Sequence, residues 1–96
     1  MTEAEIVPAL ESILADENMF ISKLQDIEPG TLTFEEIKEL EWDVSEAFDL
    51  LKEVMSEIGD LKPDPKVIGN RFKIAFTNVS KILEMLTRLY GAIPGK

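Results

Sequence analysis

From Phe34 to Ile58 an apolar residue recurs every three or four positions: Phe34, Ile37, Leu40, Val44, Ala47, Phe48, Leu51, Val54, Met55 and Ile58. A strand cannot meet that spacing, because its faces alternate every second residue, whereas a helix keeps such a stripe on one side for about seven turns. Thr33 and Glu36 precede the run with the form of a capping box, and Gly59 follows it at the usual C-terminal position. A helix is therefore predicted over 33–58.

The same pattern occurs twice more. Thr2 and Glu5 form a second capping signature ahead of Ile6, Leu10, Ile13, Phe20, Leu24 and Ile27, and "EPGT" ends this segment. Pro8 falls in its early turns, where a missing N–H matters least. After "DLKPDP", Asp64 is placed as an N-cap and Pro65 as the first helical residue of a third stripe that runs from Ile68 to Tyr90 before Gly91. Helices at 3–27, 33–58 and 65–90 with short connectors predict one all-α domain over 1–96, an up-down-up antiparallel three-helix bundle. "ADEN" (15–18) holds Asp16, a good cap residue, and a break there would make the bundle four-helix. "AIPGK" is expected as a short tail, and Gly69 in "GNRFK" as a point of close helix packing rather than a phosphate cradle.

Composition narrows the chemistry. The 96 residues contain neither cysteine nor histidine, which removes disulfides, zinc-thiolate sites, thiol nucleophiles and the commonest general base. The acidic start "MTEAEIVPAL" lacks the bases of a leader, and no uncharged apolar run spans a bilayer, so a cytoplasmic protein is expected. A net charge of −9 disfavours nucleic acid and anionic membranes as partners of the whole chain. Glu36, Glu39, Glu46 and Asp49 spell two E-x-x-[DE] pairs that resemble the motif of all-α nucleoside triphosphate pyrophosphohydrolases. That family sets its pairs on separate helices; these lie seven residues apart on one predicted helix, so no metal, cofactor or activity is carried over.

Three polar residues fall within apolar arcs: Glu17 in the first helix, Arg71 and Asn78 in the third. A core polar layer joining Glu17 to one of the other two is expected, with Asn78 nearer its level.

The outer surfaces are split by charge. Residues 1–64 hold 18 acids and 4 bases, a balance of −14; residues 65–96 hold 1 acid and 6 bases, a balance of +5. On a helix turning about 100° per residue, Trp42 lies roughly 160° from the stripe of Ile37, Val44, Leu51 and Ile58. It is predicted to point outward with Leu50 amid Glu39, Asp43, Glu46, Asp49 and Glu53. An exposed indole ringed by carboxylates suits recognition of a protein with a basic surface, or of a second copy of the chain. Lys66, Lys73, Lys81 and Arg88 trace a basic line along the third helix. The leading expectation is a non-catalytic interaction module (an adaptor, a small complex subunit or an acidic inhibitor) working through the Trp42 face. The alternatives are a nucleic-acid-associated subunit using the basic line and a carboxylate-metal enzyme.

Overall fold

Thr33 opens the longest helix as its sequence predicts. The backbone N–H of Glu36 donates to Thr33 Oγ1 at 3.2 Å, and the Glu36 carboxylate accepts the N–H of Thr33 at 3.0 Å, so two N-terminal donors are satisfied reciprocally. At Thr2 the Glu5 carboxylate accepts from both the backbone N–H and the hydroxyl. Asp64 caps with its own side chain, taking the Lys66 N–H at 2.9 Å, and Pro65 follows at the first helical position.

The computed structural model describes residues 2–93. It is an all-α bundle of four helices: α1 (Glu3–Gln25), α2 (Phe34–Leu61), α3 (Pro65–Ile68) and α4 (Arg71–Gly91). Among the described residues there is no strand, and no helix is long and apolar enough to cross a membrane. The three long helices run up, down and up.

Several boundaries depart from expectation. α1 does not break at "ADEN"; it continues through Asp16 and stops at Gln25. The four-helix alternative at that point is thus corrected, because the apolar positions Ile13, Ile21 and Leu24 on either side are buried on one continuous face. α2 passes through Gly59 and ends at Leu61, with Lys62 in the left-handed region at φ 48°. The third predicted helix is cut in two at Gly69, whose φ of +59° is open to glycine and strained for other residues. Gly69 therefore serves as a breaker and not as a packing point; a Cβ there would meet nothing closer than the Arg71 side chain at 3.6 Å. At the C-terminal end Ile93 packs on the core instead of leaving as a tail; Pro94, Gly95 and Lys96 lie outside the described residues.

The core is built in two apolar storeys. One joins Ile6, Leu10 and Ile13 of α1 to Leu51 and Val54 of α2 with Ile68 and Ala75. The other joins Ile21 and Leu24 to Ile37 and Val44 with Ile82, Leu86 and Leu89. α1 packs extensively on both α2 and α4, while α2 and α4 touch each other sparingly. The result is a rod of 50 × 18 × 15 Å. Its radius of gyration, 15.4 Å, exceeds the ~12.5 Å expected of a round chain this size, so the core is thin and much apolar surface lies near solvent.

Candidate interaction surface

Trp42 stands in the third turn of α2 and is 72% exposed. Uninterrupted helix from Phe34 to Leu61 fixes that outward direction, since Val44 and Ala47, on the opposite arc, are buried. The indole borders a shallow concavity with Lys38, Glu41 and Ser45, and the Ser45 hydroxyl bonds back to the Trp42 carbonyl at 2.8 Å. Glu39, Asp43, Glu46, Asp49 and Glu53 are all exposed.

Leu50 does not join this patch. It is half-buried and leans on the core storey of Ile6, Leu10 and Ile13, because its position on the wheel falls on the flank turned to α1. The apolar component of the Trp42 face is thus the indole itself.

On the other side of the bundle Lys73, Lys81 and Arg88 are exposed along α4. Lys66 belongs to α3, beyond the Gly69 break. The four-residue basic line is therefore corrected to three, since the positive φ of Gly69 interrupts the helix that would have aligned Lys66 with them.

Inside the bundle Glu17 is fully buried between the two storeys, and Asn78 donates to its Oε1 at 3.3 Å. Oε2 is buried without a hydrogen-bond partner. Burial pushes the Glu17 carboxyl up to about 7, opposed by the Asn78 hydrogen bond. Arg71 takes no part in this layer. Two turns earlier on α4, it pairs instead with Glu11 at 3.3 Å on the bundle surface, which corrects the three-residue polar layer to a pair. Buried between helices, the Glu17 carboxyl does not line the concavity beside Trp42. Among the described residues no three carboxylates are grouped to hold a metal ion.

One feature was not foreseen from the sequence. Where α2 and α4 diverge they leave an apolar trough of about 300 Å³, lined by Phe48, Leu51, Met55, Phe76, Val79 and Leu83 with Lys52 at its lip. Met55, Phe76 and Leu83 are 45%, 41% and 47% exposed, although their spacing had placed them in the buried stripes. A warning was present in the sequence: the apolar arcs of α2 and α4 are wider than a three-helix core can cover.

No protein-family model, curated protein or solved structure matches the chain, so the site rests on its own geometry.

Proposed function

We propose that this chain is a non-catalytic protein-interaction module whose Trp42 face recognises a partner with a basic surface. The observation that carries the reading is the exposure of Trp42 on a rigid, uninterrupted helix amid carboxylates. An indole offers a large area to desolvate and one N–H donor at low conformational cost, which is why tryptophan is over-represented among residues that dominate binding energy. The surrounding acids add steering and reject acidic competitors. Catalysis finds no comparable support, for the one strongly perturbed carboxyl, Glu17, is sealed inside the bundle.

The test uses Trp42 as its own probe, since it is the only tryptophan. The free protein should emit as a water-exposed indole at all concentrations. Titration with a Lys- and Arg-rich helical peptide should shift the emission to the blue, less so in high salt. An emission that is already blue-shifted and concentration-independent, or one that no basic peptide moves, would remove the reading. A blue shift that grows with protein concentration alone would assign the face to a second copy.

A further inference from the structure

We propose that the trough between α2 and α4 is a second binding surface, and that it receives an amphipathic helix from another protein whose flank over α2 is acidic. This surface is separate from the Trp42 face and takes a partner of opposite charge.

Its shape argues for a helix. The walls step by sevens: Glu41, Phe48 and Met55 on α2 stand against Tyr90, Leu83 and Phe76 on α4, the first pair joined by a hydrogen bond from the Tyr90 hydroxyl to the Glu41 carboxylate. A seven-residue rhythm on both walls is what a helix laid along them matches with its own positions i, i+3, i+4 and i+7. The open stretch from Phe48 to Met55 is two turns, or about 10 Å. The Tyr90–Glu41 bond and the Phe34–Tyr90 ring contact, 5.6 Å between centroids, close one end. The trough is also where the bundle is open: α1 covers one side of the α2–α4 pair, and none of the described residues covers the other.

Its charge selects the ligand. α2 carries ten acids and two lysines. Projected down the helix axis, the third of the circumference centred on the trough-lining residues Phe48, Leu51, Lys52 and Met55 holds one lysine, Lys52, whereas nine of the acids fall outside it. Only Glu41 lies within that arc, and Tyr90 holds it. Ser45 and Ser56 lie just outside the arc. On α4 the corresponding arc carries Ser80 and Thr87 and no charge. Lys73 stands just past its lip, Lys81 and Arg88 lie farther round, and Glu84 is the one acid among them. A chain of net charge −9 thus keeps nine of the ten α2 carboxylates away from one apolar groove and sets Lys52 at its edge. A second copy docking trough to trough offers no acidic flank, because its exposed apolar residues there are edged by the same Lys52.

A display library of 18-residue amphipathic helices tests this, with apolar residues fixed at i, i+3, i+4, i+7 and i+11 and Glu, Lys or Ser randomised on both flanks. Selection on the full chain should enrich Glu on one flank. Leu83→Glu should abolish binding of the selected helices with the helical circular dichroism intact. Lys52→Glu should weaken them by about fivefold, the effect of turning one exposed ion pair into a like-charge contact. Trp42→Ala should leave them unchanged, so that failure of this surface and failure of the Trp42 face are told apart. Enrichment of Lys, absence of any enrichment, or indifference to Leu83→Glu would overturn the proposal. So would a dimer in light scattering that Leu83→Glu dissolves, since the trough would then belong to self-association.

Discussion

Asn78 donates its side-chain amide to Glu17 Oε1, 3.3 Å away, at the level where the core divides into its two apolar storeys. A carboxyl raised from 4.5 to about 7 by burial binds its proton more tightly folded than unfolded. Its contribution to stability is therefore fully present below the unfolded value and falls as pH climbs from 4.5 through about 7. A shift of that size is worth on the order of 3 kcal/mol. Glu17→Gln should stabilise the protein at pH 8 by an amount of that order, change little at pH 4.5, and flatten the denaturant midpoint between the two. Equal midpoints for variant and parent at pH 8 would show that Glu17 ionises without penalty.

Tyr90 shifts in the same direction at the closed end of the trough. Partial burial, the hydrogen bond to Glu41 and the Glu41 charge push its phenol from 10.0 up to about 12. The folded state holds the phenolic proton more tightly, so stability from this contact persists below pH 10 and is lost on the way to 12. Absorbance titration of this single tyrosine should place its midpoint near 12, and Glu41→Gln should lower it. A midpoint that Glu41→Gln leaves in place would exclude the carboxylate as a cause.

Two glycines ten residues apart should respond with opposite sign. Gly59 lies inside α2 and an added Cβ meets nothing within 4 Å; Gly59→Ala should stabilise by roughly 0.5–1 kcal/mol by removing backbone freedom from the unfolded chain. Gly69 sits at φ +59°, and Gly69→Ala should cost about 1–3 kcal/mol of strain. Chemical denaturation of both variants checks the pair, and a destabilised Gly59→Ala would mean that α2 is not helical there.

Trp42 and Leu10 separate surface from core. Leu10 is fully buried in the storey it shares with Ile6 and Ile13, so Leu10→Ala should cost about 2–5 kcal/mol. Trp42→Ala should leave stability within about 0.5 kcal/mol, as substitutions of exposed residues do. A loss beyond 1.5 kcal/mol at Trp42 would mean that the indole packs on the bundle.

The local signals were legible in the sequence. Caps at Thr2, Thr33 and Asp64, the outward placement of Trp42 and the partnership of Glu17 with Asn78 all follow from hydrogen-bonding chemistry and a 3.6-residue repeat. The break at Gly69 was not, because glycine within a periodic stripe is compatible with continuous helix, and only the packed chain demands a positive φ. Leu50 and the trough eluded the helical wheel for a related reason. A wheel gives the width of an apolar arc but not which neighbour covers each part of it, and with no described residue over the far side of α2 and α4, Met55, Phe76 and Leu83 are left uncovered.

The sparse seam between α2 and α4 has a mechanical consequence. Because each wall of the trough is moored chiefly to α1, anything wedged between them pulls against residues on the far side of the rod, among them Ile6, Leu10 and Ile13. The compliance of the groove is then set in a helix the ligand never meets, and substitutions there can retune its grip while every contacting side chain stays the same.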